Sequence, residues 1–167
     1  MLIRLTNREL SDARKAASGR WKLSRAAGVV NQKKASESDE DLDLLGVKAE
    51  MAVAKLLRLD YSPFDLGIDD GMDMWFGDTS IDVKATFHET GKLLFKSLEA
   101  FRADCGILVT KTGDDAVMNV AGGCTRQVFM QEAEHIDLGR GKCYVMTQDN
   151  LSPIQNVWYS LAERQYG

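Results

Sequence analysis

Two carboxylates placed beside a lysine can hold a divalent cation. The segment 73–84, Asp-Met-Trp-Phe-Gly-Asp-Thr-Ser-Ile-Asp-Val-Lys, has the spacing to do so. Gly77-Asp78 is suited to a two-residue hairpin turn, because glycine takes positive φ without a Cβ clash. That turn would set Phe76 opposite Thr79, Met74 opposite Ile81 and Asp73 opposite Asp82. Side chains alternate along a strand, so Lys84 shares a face with Asp82. A looser four-residue loop over 77–80 would set Asp73 opposite Lys84 and still keep the three on one face. Met72, Met74, Ile81 and Val83 are expected on the other face. Like charges facing each other weaken a sheet, and a divalent cation would relieve the two aspartates.

A third carboxylate lies upstream. Residues 43–59 have helical periodicity, and on that helix Glu50 falls among Gly46, Val47, Val53, Ala54 and Leu57. A glutamate within an apolar stripe is costly unless it is paired or binds a metal. The alternatives are that Glu50 reaches water at the edge of the stripe, or pairs with a buried arginine.

The positioning elements follow from local signals. Thr6 and Glu9 form a capping box for a helix from about residue 7 to 27. Residues 29–41 are polar and read as a loop, with 36–41 too charged to pack. After the hairpin, residues 92–102 are ambiguous between strand and helix. Residues 105–110 are a short apolar run suited to a buried strand, with 116–121 as its partner. Gly122-Gly123 reads as a strand-end turn. Thr125 can cap a helix to about residue 133, and residues 143–147 suit a last strand. This mixture without regular alternation predicts an α/β (α+β) architecture: a central mixed β-sheet flanked by helices.

At 167 residues the chain is long enough for one domain with a substantial core. The three cysteines, Cys105, Cys124 and Cys143, show neither zinc-ligand spacing nor a disulfide framework. There is no apolar run of membrane-spanning length, no secretory signal pattern and no phosphate-binding loop for a nucleotide cofactor. A cytoplasmic location without membrane contact is expected. The net charge of −4 hides an asymmetry. Residues 1–34 carry nine basic and two acidic side chains, against twelve and twenty-three in the remainder. The chain therefore reads as a basic N-terminal helical arm, 1–34, ahead of a single core domain, 35–167. A basic arm suits a polyanion, and a plain solvated helix is the other reading. Arg20, Lys22, Arg25, Lys33 and Lys34 are the candidate phosphate contacts.

Glu50 on a helix, Asp73 on one strand and Asp82-Val83-Lys84 on the next resembles the PD-(D/E)XK nuclease superfamily, the restriction-endonuclease-like fold, and its small phage members. Met72 stands where that family often has proline, and Asp70 is a rival for the first acid. The resemblance implies a Mg²⁺- or Mn²⁺-dependent deoxyribonuclease, an endonuclease acting in a bacterial host's cytoplasm. It assigns Glu50, Asp73 and Asp82 as catalytic acids that bind metal, with the Val83 carbonyl as a further ligand and Lys84 as the catalytic lysine. A Holliday-junction resolvase acting as a homodimer, an RNA-processing enzyme, and a non-catalytic DNA-binding module on the same fold are the alternatives.

Overall fold

The computed structural model describes residues 1–26, 38–65, 71–139 and 141–166. The chain begins with β1 (Leu2–Arg4) and α1 (Asn7–Ala26). The capping box closes as expected: the Glu9 N–H donates to Thr6 Oγ1 at 3.2 Å, and the Thr6 N–H donates to Glu9 Oε2 at 2.6 Å. Helix α2 spans Asp39–Leu57, starting inside the segment expected to be a loop. Ser38 caps it by accepting the Asp41 N–H at 3.0 Å. The acids Asp39, Glu40 and Asp41 then occupy the first turn, where the helix dipole favours negative charge. Charge that argued against packing thus favours a helix start.

Ala13, Ala16 and Ala17 of α1 cluster with Val47 of α2. These small side chains occupy positions i, i+3 and i+4 and form one face of α1. Lys55 of α2 reaches Glu9 at 2.9 Å and the Arg4 carbonyl at 3.0 Å. The basic N-terminal segment is thereby joined to the rest of the molecule through α2, and through β1 as a sheet edge.

The main sheet also contains β2 (Met74–Phe76), β3 (Thr79–Thr86), β5 (Cys105–Lys111) and β6 (Val117–Thr125), in the order β1-β6-β5-β3-β2. Only β3 and β5 run parallel; the other neighbours are antiparallel. A second sheet has the order β4-β8-β7, from β4 (Leu93–Phe95), β7 (Glu134–Asp137) and β8 (Lys142–Met146). Helix α3 (Arg126–Glu132) is capped by Thr125, and α4 (Ile154–Tyr166) ends the described chain. The class is mixed α and β, as the sequence predicts.

Alternation along the strands divides the core. Ile81, Val83, Ile107 and Val109 face one side with Ala49, Val53 and Leu57 of α2 and Ile154, Val157 and Leu161 of α4. Leu108 and Cys124 face the other, with Phe95 of β4, Met146 of β8 and Phe129 of α3. There Phe95 stacks on Phe101 at 4.2 Å, and Phe129 meets both rings edge-on. Met72 joins this second cluster, not the one holding Met74. It precedes the paired strand, so strand alternation does not govern it.

Gly122 and Gly123 lie within β6, not in a turn. A Cβ on Gly122 would sit 2.7 Å from the Ser152 carbonyl oxygen, and one on Gly123 would sit 2.8 Å from that of Gly106. Close backbone approach explains both glycines. All three cysteines are free and buried. Among the described residues no helix is long and apolar enough to cross a membrane.

Candidate active site

The hairpin forms with the two-residue turn. Gly77 has φ +58°, and the register pairs Phe76 with Thr79, Trp75 with Ser80 and Met74 with Ile81. Regular pairing stops there. Asp73 is not a ladder partner of Asp82; its N–H donates to the Ile81 carbonyl at 2.8 Å. Its Oδ2 instead accepts the Val83 N–H at 2.6 Å. A side chain has replaced the backbone partner of Val83, so two aspartates do not have to face each other in register. The base of the hairpin is fixed from the other side by Ser80 and Asp104. The Ser80 N–H and hydroxyl donate to Asp104 Oδ2 at 2.9 and 2.7 Å, and the Asp104 N–H returns to Ser80 Oγ at 3.0 Å.

Asp82 is 2% exposed, and its Oδ1 lies 2.6 Å from Lys84 Nζ. The ammonium also sits 5.1 Å from the centre of the Phe95 ring, a cation–π contact that helps fix it. Lys84 is thus held between an acid and an aromatic face while 40% of its side chain remains open to solvent. Val83 turns its side chain into the core and gives its N–H to Asp73.

Glu50 is buried, and one of the open readings of its position holds: it pairs with an arginine. Arg20 Nη1 and Nη2 donate to Glu50 Oε1 and Oε2, both at 2.7 Å. The Tyr61 hydroxyl also donates to Oε2 and accepts from Arg20 Nη2 at 3.3 Å. The pair raises the Arg20 pKa, while burial first and Glu50 second raise that of Tyr61. Arg20 therefore is not the free phosphate contact expected; both ends of its fork are committed to Glu50. Lys22 is exposed on α1. The Arg25 side chain, Lys33, Lys34 and the rival acid Asp70 lie outside the described residues.

Asp73 links these groups. Burial pushes its pKa up to about 7, the charges of Glu50 and Asp82 push the same way, and the Val83 N–H and Lys84 oppose them. Asp73 therefore lies within electrostatic range of Glu50, Asp82 and Lys84 together. Glu50 pairs with Arg20 and Asp82 with Lys84, and Asp73 forms no ion pair among the described residues. A divalent cation beside Asp73 would offset the neighbouring charges of Glu50 and Asp82, and hard oxygen donors suit Mg²⁺ or Mn²⁺. Asp73 and Asp82 fit such an ion by chemistry. Glu50 fits only after giving up Arg20, and among the described residues no three acidic, histidine or cysteine side chains are already arranged around one point.

Sequence reasoning missed Arg20 as the partner of Glu50, Tyr61 as its second donor, and the Ser80–Asp104 tie. Only the burial of Glu50 within an apolar stripe signalled that a partner was needed. Trp75 is 54% exposed. Thr86 shares the Lys84 face, and its hydroxyl accepts the N–H of exposed His88 at 3.2 Å. The chain matches no protein-family model, no curated protein and no solved structure.

Proposed function

We propose that this protein is a metal-dependent nuclease that hydrolyses phosphodiester bonds in DNA, in the manner of the PD-(D/E)XK enzymes its motif resembles. The observation that carries this reading is Asp73: a half-buried carboxylate that feels the charges of Glu50 and Asp82, with Lys84 next to it and open to solvent. Asp73 and Asp82 would hold Mg²⁺ or Mn²⁺, with the Val83 carbonyl a ligand on the strength of the resemblance. When bound, such an ion polarises a phosphoryl oxygen and lowers the pKa of water. Lys84, held by Asp82 and Phe95, has its ammonium at the solvent edge of the site. There it orients the attacking water and offsets the charge that grows on the phosphate oxygens. Tyr61 and Arg20 hold Glu50 in place, within electrostatic range of Asp73.

A second reading also has an observation behind it. The bidentate Arg20–Glu50 pair would suit a non-catalytic DNA-binding module whose acids serve only as ion-pair partners. Incubation with plasmid, linear duplex, single strands and a four-way junction separates the two readings, run with Mg²⁺, Mn²⁺, Ca²⁺ or chelator. The nuclease reading expects cleavage of at least one substrate with Mg²⁺ or Mn²⁺ and none with chelator. Binding without cleavage under every metal condition favours the second reading.

A further inference from the structure

We infer that Trp75 is a stacking platform for an unpaired nucleobase next to the hydrolytic residues, so that the preferred substrate presents a single-stranded or frayed nucleotide there. This inference rests on the nuclease reading for the identity of the ligand and on the geometry of β2 for the platform.

Strand β2 is an edge of the main sheet, and its three residues alternate buried, exposed, buried. Met74 and Phe76 are rooted in the α2-side core, which fixes the strand. Trp75 consequently points to the opposite face, the one that carries Ser80, Asp82 and Lys84 on β3. The residue directly across from Trp75 is Ser80. It is small, and its hydroxyl is turned to Asp104, so it leaves the indole uncovered. Trp75 remains 54% exposed, although an indole gains more from burial than almost any other side chain.

Asp82 is the diagonal neighbour of Trp75 across the hairpin, a separation of roughly 7–8 Å in such pairs. A base of a nucleotide whose phosphate lies at the acid–lysine group can reach over that span. Neither a carboxylate ligand nor an anionic surface would favour this position, because Asp73 and Asp82 carry the adjacent charge. An uncharged planar ring attached to a cation-bridged phosphate suits it. A base in a duplex offers no free face, so the platform selects unpaired nucleotides.

The test compares wild type with Trp75→Ala and Trp75→Phe, using a short fluorescent single-stranded oligodeoxynucleotide and a duplex of the same sequence, in Ca²⁺. Base–aromatic stacking is worth about 1–3 kcal/mol, or roughly 5- to 150-fold in affinity. Trp75→Ala is expected to weaken single-strand binding by at least about five-fold and duplex binding less, with Trp75→Phe retaining most of the affinity. Tryptophan fluorescence should quench on adding the single strand to wild type, and the quench should shrink in Trp75→Phe. Equal single-strand affinity in wild type and Trp75→Ala overturns the inference. So does a loss of wild-type self-association in Trp75→Ala, which would make the indole a contact between copies. Cleavage is scored separately with Mg²⁺. Wild type that cleaves alongside an unaffected Trp75→Ala sinks the platform alone. Wild type that stacks the single strand without cleaving sinks the nuclease reading alone. Wild type that binds no nucleic acid sinks both.

Discussion

Glu50 is 7% exposed, and replacing Arg20 by alanine removes its bidentate partner. Removing one member of a buried ion pair costs about 3–5 kcal/mol, because the remaining charge is stranded. Two features reduce that figure here. The Arg20 side chain is 27% exposed, so water already screens part of the pair, and the Tyr61 hydroxyl still donates to Glu50. About 2–3 kcal/mol is expected for Arg20→Ala, a large share of the 5–15 kcal/mol typical of a domain. Urea unfolding followed by circular dichroism measures it by linear extrapolation. The double variant Arg20→Ala/Glu50→Gln removes the stranded charge and should recover part of the loss, with a coupling of at least about 1 kcal/mol in the cycle. A destabilisation within about 0.5 kcal/mol, as at an ordinary exposed arginine, would refute the clamp. So would strict additivity in the cycle.

The raised Asp73 pKa makes stability depend on pH. The folded protein keeps the Asp73 proton up to about 7, whereas the unfolded chain releases it near 3.8. The native state therefore binds more protons across that window, and stability falls as pH rises through it, by at most about 4 kcal/mol. Asp73→Asn can still accept the Val83 N–H, and it should flatten the difference between urea midpoints at pH 5 and pH 8. Mn²⁺ should raise the melting temperature of wild type more at pH 8 than at pH 5, since the proton and the ion compete for Asp73, and Asp73→Asn should abolish this difference. Gly123→Ala drives a methyl to within 2.8 Å of a backbone oxygen that cannot move aside. A loss of about 1–3 kcal/mol is expected by the same urea assay, and an unchanged midpoint would count against the close approach.

The parts of the fold legible in the sequence were those specified by adjacent residues. Gly77-Asp78 and the alternation around it set the hairpin register from Phe76 to Ile81. Thr6 with Glu9, and Thr125 alone, marked helix starts, and the run from Cys105 marked β5. Contacts between distant segments were not legible. Nothing near Arg20 indicates that it pairs with a residue thirty positions later rather than facing solvent. Gly122 and Gly123 look like a turn until Ser152 and Gly106 are seen against them. Strands β1 and β7 are too short for periodicity to show. Helix α4 did carry a usable signal: Pro153 precedes an apolar stripe at Ile154, Val157 and Leu161. At the site, the order of acids and lysine was readable, but the departure of Asp73 from register was not, because it depends on a carboxylate taking the place of a backbone carbonyl.

The central claim is that Lys84 and the acids around it hydrolyse phosphodiesters. Single-turnover cleavage of DNA in Mg²⁺, comparing wild type with folded Lys84→Ala, tests it most directly. Cleavage by wild type, lost with chelator and slowed by about 10²-fold or more in Lys84→Ala, is the predicted result. Equal rates in the two proteins would contradict it.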